Sequence, residues 1–270
     1  MKRIDIHECH AILLSIAAEF DRICRKHHIP YYMLGGTMLG AVRHRGFIPW
    51  DDDMDFGVPR AHYARLTAAL AGELPAHMRV LTLRNGGFTV ANFIKIDDSR
   101  TRISDRWLDR STDMGVNIDV FPLDDGMRTG FQTRLFVSYI MCLLTVKDVA
   151  CIKPEKRRGA KKHLARLFRF LFPLRTTRLL EYIDRYIVRH SAPDSEFMIN
   201  FYGRWKAKEV VAKKIFGAPK AFEFGGRTFC GVENADAYLA RLYGDYMQLP
   251  PESGQIVHTT EMYMKNDTEK

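Results

Sequence analysis

The chain has no pair of cysteines at metal or redox spacing. Its five cysteines, Cys9, Cys24, Cys142, Cys151 and Cys230, are odd in number and scattered. That excludes a disulfide framework or a zinc ribbon and suits a reducing compartment. Long apolar runs are missing too: the longest, residues 135–146, has 12 residues and still contains Ser138 and Thr145, too short to span a bilayer. The start, Met-Lys-Arg, leads into Asp5, His7, Glu8 and His10 instead of a signal-peptide core. A cytoplasmic protein is therefore expected, with membrane contact at most peripheral. There is no G-x-G-x-x-G, no Walker loop, no internal repeat and no low-complexity linker. An excess of basic charge is absent from most of the chain. The net charge is +9, yet residues 153–178 hold ten Lys and Arg against one acid, Glu155, so everything else sums to zero. A nucleic-acid-binding domain usually spreads its charge along a face, and no nucleic-acid partner is expected here.

What is present centres on residues 34–60, LGGTMLGAVRHRGFIPWDDDMDFGVPR. Asp51, Asp52, Asp53 and Asp55 fall within five residues, flanked by Ile48, Pro49 and Trp50 and by Met54, Phe56 and Val58. Four like charges repel, and a hard divalent cation is their natural partner, since Mg²⁺ is held by one or two carboxylates plus substrate phosphates. The alternative, a solvated acidic loop, sits poorly with the Trp and Phe on either side. Residues 53–56 alternate polar and apolar, which predicts a strand presenting Asp53 and Asp55 on one face. Upstream, residues 31–34 predict a short strand running into Gly35-Gly36-Thr37, where backbone N–H groups and the start of a helix could approach an anion. A plain strand-to-helix turn explains the same glycines. Arg43, His44 and Arg45 lie between the glycines and the acids, either as helix-end cations or as guides for a phosphate.

Elsewhere the periodicity predicts helices over 5–28, 61–74, 131–151 and 175–190, strands over 78–83 and 88–97 joined at Asn85-Gly86-Gly87, and a hairpin over 222–233. His7-Glu8-Cys9-His10 is not a metalloprotease motif, because its second His falls one position short. In residues 115–125, GVNIDVFPLDD, Asp119 sits inside an apolar run. A buried carboxylate without a partner costs several kcal/mol, so Asp119 should face a cation, for which the metal site is the candidate. Asp124 and Asp125 suit a turn. Within 153–178, Leu and Phe interleave with Arg166 and Arg169. This is the pattern of a helix in an anionic membrane interface, or of a core helix with a basic rim.

Two strand carboxylates, a third on a later strand and a Gly-Gly-Thr turn together resemble the active site of the nucleotidyltransferase fold. Residues 34–60, then NIDVFPLDD, then YLARLYGDYMQLPPESGQIVH near the end, resemble in order the LicD family, relatives of fukutin and the bacterial phosphocholine transferases. The resemblance spans roughly 31–258; no motif is matched over 127–220.

It implies an α+β fold: a nucleotidyltransferase-like mixed β-sheet flanked by helices, with a basic helical insertion. The catalytic core would be 1–126, a basic helical part 127–220 (a membrane-surface or acceptor-binding part), and 221–270 would return to the core. It implies transfer of phosphocholine, or a similar substituted phosphate, from CDP-choline or a related donor to a glycan hydroxyl. CMP would leave, and the acceptor would be lipid-linked at the membrane. Asp53 and Asp55 would ligate Mg²⁺ or Mn²⁺, with Asp51 or Asp52 as a further ligand, and Asp119 would either complete the metal site or take the acceptor's proton. Gly35, Gly36 and Thr37, with Arg43 and His44, would hold the donor phosphates. Trp50, Tyr243 and Tyr246 would line the substrate pocket, with Tyr31 and Phe47 as further aromatic candidates, and His258 matches the family's C-terminal His. The rival from the same carboxylates is nucleotidyl transfer from an NTP, which would release pyrophosphate.

Overall fold

The helix predicted first is α1, Ile6–Lys26, and its N-terminus is closed by a capping box in which Asp5 and Glu8 each bond the other's backbone N–H. Its buried stripe, Cys9, Leu13, Ile16, Phe20 and Ile23, recurs at helical spacing and packs on the sheet, Phe20 meeting Phe56 at 4.9 Å between ring centroids. The structure, a computed structural model, describes residues 1–85, 92–104, 114–151, 176–251 and 261–266. His258 and residues 152–175, which carry most of the basic segment, lie outside the described residues, as does the glycine pair of the expected turn at 85–87.

The main sheet combines β2 (Tyr32–Met33), β3 (Asp55–Pro59), β4 (Met78–Leu81), β5 (Ile94–Asp98), β7 (Asn117–Asp125), β10 (Lys220–Phe224) and β11 (Arg227–Gly231). Their order across the sheet is β10-β11-β2-β3-β7-β5-β4. It is mixed: β3 and β7 run parallel, whereas β5 is antiparallel to β7 and β2 to β3. A small second sheet joins β1 (Lys2–Arg3), β12 (Glu261–Met264) and β6 (Thr101–Ser104). The α+β expectation, a mixed sheet flanked by helices, holds.

Strand β7 is the axis. Five residues of it pair with β3, and it also meets β5 and then, at Asp124 and Asp125, β8 (Phe197–Ile199). Asp124 is thus no turn residue. It lies in the strand with no exposed surface and accepts two bonds from Arg60, at 2.6 and 3.0 Å. Arg60 opens α3 (Arg60–Glu73) and also reaches Asp184 at 3.0 Å.

Helix α4 (Gly130–Cys151) and helix α5 (Thr176–His190) pack together around Phe136, Ile140, Leu180, Ile183 and Ile187. No helix among the described residues is long and apolar enough to cross a membrane. After α5 come β8, a short 3₁₀ turn Lys206–Glu209, β9 (Val210–Ala212) and α6 (Lys213–Phe216). Helix α7 (Ala235–Tyr243), capped by Asn234, then returns the chain to the glycine turn.

Candidate active site

The site begins with strand register. Asp55 and Asp119 are direct partners in the parallel β3–β7 ladder, and Asp119 stands opposite Lys95 across β5–β7. Residues in one row of a sheet point to the same face. Three charged side chains therefore meet on one surface, and they come from segments that are far apart in sequence.

The cation facing Asp119 is a protein side chain. Lys95 Nζ donates to Asp119 Oδ1 and, at 3.0 Å, to Asn117 Oδ1. The sequence called for a cation facing Asp119 and offered the metal site as its source; Lys95 is a cation that the sequence reading did not name. Asp53 also differs from expectation: the strand starts at Asp55, so Asp53 stands on the approach to it, beside the carboxylate cluster. Asp55 feels the cluster most. Burial, then the charges of Asp53, Asp119 and Asp51, push its carboxyl well above the usual range, and Lys95 opposes them only in part. Burial likewise raises Asp119, against the pull of Lys95.

Helix α2 (Gly35–His44) begins directly at the glycines, two residues earlier than the sequence suggests. Gly35 has φ +48°, a left-handed conformation that favours glycine. A Cβ there would lie 3.3 Å from Asp55 Oδ2, and one on Gly36 would lie 2.7 Å from Asp51 Oδ2. The glycines thus let two carboxylates approach the helix start, whose partial positive charge favours them. Leu34 provides no side-chain cap. The N–H of Gly35 donates to the hydroxyl of Tyr238 at 3.2 Å. Thr37 is buried, and its Oγ1 accepts the N–H of Asp55 at 2.7 Å. Its position holds the first residue of β3.

A cavity of about 730 Å³ opens over this row. Asp51, Asp53, Asp55 and Asp119 line it together with Gly35, Gly36 and Arg43. Trp50, Tyr243 and Tyr246 also line it. Thr37, His44 and Asp52 are not in its wall. His44 Nε2 accepts from Arg43 Nε at 2.9 Å, and Arg43 in turn holds the carbonyl of Tyr246 at 3.0 Å. Asp52 is only 5% exposed. Tyr31 and Phe47 are packed into the hydrophobic core instead. Among the described residues no three His, Cys, Asp or Glu side chains are gathered tightly enough to chelate an ion by themselves. The donor set is nevertheless all carboxylate oxygen, the hard ligand type of Mg²⁺ and Mn²⁺, and Asp53, Asp55 and Asp119 share the one cavity.

Sequence reasoning missed four wall or support residues: Lys95, Tyr238, Trp205 and Glu209. Lys95 had a readable signal, a lone charge between the buried Ile94 and Ile96, the very pattern that singled out Asp119. Glu209 had none. It is 5% exposed, lines the cavity, and accepts the N–H of Trp205 at 3.4 Å. Burial pushes its carboxyl up to about 7, while the Trp205 N–H and the Arg241 charge offset part of that. A value raised from the ordinary 4.5 means that the group's contribution to stability is complete below about pH 4.5 and is lost as pH rises through about 7. Glu209→Gln should therefore gain in melting temperature over wild type progressively from pH 4.5 to pH 8. A difference between the two proteins that does not change with pH would contradict the burial argument.

Residues 28–137 match the model of a family described as LicD/FKTN/FKRP, nucleotidyltransferase domain. A lipopolysaccharide cholinephosphotransferase LicD of Haemophilus influenzae is 29% identical over 264 residues, which cover 96% of this chain and 97% of that protein. Shorter stretches resemble two uncharacterised proteins of Rickettsia. In R. typhi the match is 42% over 59 residues, or 22% of this chain and 19% of that protein. In R. prowazekii it is 44% over 46 residues, 17% of each.

Proposed function

We propose that the chain, matched by the LicD/FKTN/FKRP nucleotidyltransferase-domain model over residues 28–137 and similar along 96% of its length to a LicD cholinephosphotransferase, is a LicD-type transferase that moves phosphocholine, or a similar substituted phosphate, from a CDP-linked donor to a hydroxyl of a cell-surface glycan. Lipopolysaccharide is the first acceptor to consider, because a protein similar over 96% of this chain is a lipopolysaccharide cholinephosphotransferase. The observation that carries the chemistry is the row Asp55–Asp119–Lys95, whose two aspartates line the cavity.

In the reaction, the acceptor oxygen attacks the phosphorus that bears choline. The bond from that phosphorus to the bridging oxygen breaks, and its electron pair leaves on CMP. The hydroxyl proton needs an acceptor, and Asp119 is the candidate: burial raises its basicity and Lys95 fixes its position. Asp53 and Asp55, with Asp51 beside them, would hold Mg²⁺ or Mn²⁺, leaving Asp119 to take the proton. Such an ion, when bound, neutralises the diphosphate and the charge that develops as it is cleaved. Gly35 and Gly36 allow the donor phosphates close to the start of α2, and Arg43 adds a positive charge in the same wall.

The family model's own description keeps nucleotidyl transfer as a second reading. Purified protein incubated with Mg²⁺, CDP-choline, other CDP-linked donors, NTPs and an acceptor glycan separates the two. CMP is the expected product, and EDTA should abolish it. Pyrophosphate from an NTP would move the chain to the second reading, and turnover unchanged by EDTA would remove the metal from the proposal.

A further inference from the structure

The cavity wall also holds charged groups that the transfer chemistry does not use, namely Arg204, Glu209 and Asp245. Glu209 follows an aromatic loop and ends the 3₁₀ turn, in a part of the chain without any family motif, yet it reaches the same cavity wall as the aspartates. Its carboxylate lies close to the backbone: a Cβ on Gly203 would come within 2.3 Å of Oε1. Among the described residues no Lys or Arg forms an ion pair with it. Arg241 is near enough to be felt electrostatically, but its Nε is bonded to the carbonyl of Lys208 at 2.8 Å. A buried carboxylate with one backbone donor is costly unless something positive completes it.

Two aromatic rings stand next to it. Trp205 and Tyr243 meet edge to face, with centroids 5.0 Å apart and planes 76° from each other. Trp205 already takes one cation, the Lys208 ammonium 5.3 Å from its ring centroid. Tyr243 connects this corner to the carboxylate row. Its hydroxyl lies 3.8 Å from where a Gly35 Cβ would be, and Asp55 Oδ2 lies 3.3 Å from that same point. A group whose phosphate sits at the glycine turn would therefore extend its substituent toward the corner.

We infer that Trp205, Tyr243 and Glu209 form a subsite for a cationic headgroup, a quaternary ammonium carried on the transferred phosphate. The aromatic faces attract the cation through their quadrupoles, and the carboxylate supplies the opposite charge in a site shielded from water. A phosphate or sugar phosphate in that place would face a like charge, and a neutral polyol would leave the carboxylate uncompensated. The subsite thus favours choline over uncharged substituents. Its ligand rests on the proposed donor, whereas the corner itself is independent of the nucleotide.

Ligand-observed NMR on the full chain tests the subsite without any nucleotide, using choline and its uncharged isostere 3,3-dimethylbutan-1-ol. The wild-type protein is expected to bind choline at least about tenfold more tightly than the isostere. Glu209→Gln, which keeps shape and removes charge, should bring the two within about threefold. Trp205→Leu should weaken choline by a comparable factor, and a thermal melt verifies that each variant is folded. A choline preference unchanged in Glu209→Gln, or absent from the wild type, overturns the subsite. A parallel calorimetric titration with CDP and CDP-choline separates the two claims. Glu209-dependent choline binding without affinity for either nucleotide upholds the subsite and removes the donor reading. Affinity for CDP that choline does not improve, in the wild type, overturns the subsite and spares the donor.

Discussion

Asp55→Asn is expected to lose at least about 10³-fold in transfer rate, on the scale of a positioned charged group in a catalytic site, while the metal-free protein stays at least as stable as wild type. The two halves of that expectation have one cause. Asp55 is half-buried beside three other carboxylates, and Lys95 answers only part of their charge. Without a bound cation the native state carries a repulsion that the amide removes, and Asn keeps the shape that fits against Gly35. Residues whose removal stabilises a protein while abolishing its activity mark functional sites, where sequence has been selected against local stability. Transfer assays and thermal melts in EDTA on the same preparations measure both. A variant that is destabilised and inactive would show that Asp55 is chiefly structural; one that retains activity would remove it from the site.

Arg60→Ala is expected to do the opposite, lowering stability by about 3–5 kcal/mol. Its guanidinium bonds both oxygens of Asp124, which has no exposed surface, and also reaches Asp184 at 3.0 Å. Removing the cation leaves a buried carboxylate uncompensated at the point where β7 passes from β5 to β8. In a chain of this size the loss corresponds to a fall in melting temperature of roughly 10 °C. A urea melt reads it directly. A change below about 1 kcal/mol would mean that Asp124 takes up water or a proton at little cost, and that the pair is not what secures this junction.

These two aspartates illustrate how unevenly the sequence can be read. Asp119 was legible as a buried strand carboxylate in need of a cation because Ile118 and Val120 surround it, and the structure gives it one. Asp124, seven residues from the same run's start at Asn117, read as a turn because it precedes Asp125 and Gly126. Only its place in the extended β7, with β8 alongside, shows it as a structural ion pair. Lys95 was legible by the same rule as Asp119 and was passed over. Glu209 was not legible at all, since Lys206-Ala207-Lys208-Glu209 reads as an ordinary solvated turn.

By itself the sequence determined the elements and the chemical inventory. The helical stripe of α1, the alternation along β3 and β7 and the glycine turn follow from local steric and apolar spacing, which is written in consecutive residues. The expected type of chemistry rests on four aspartates crowded into five residues. Only the tertiary structure decided which of these groups share a site. Register set Asp55 against Asp119 and Lys95, and the return of residues 200–209 and α7 put Trp205, Tyr243 and Glu209 into the same cavity. Contacts of that kind depend on how strands far apart in the chain align. Local periodicity carries no record of that alignment, because a shift of one residue reverses every side chain's face while leaving the pattern of the sequence unchanged.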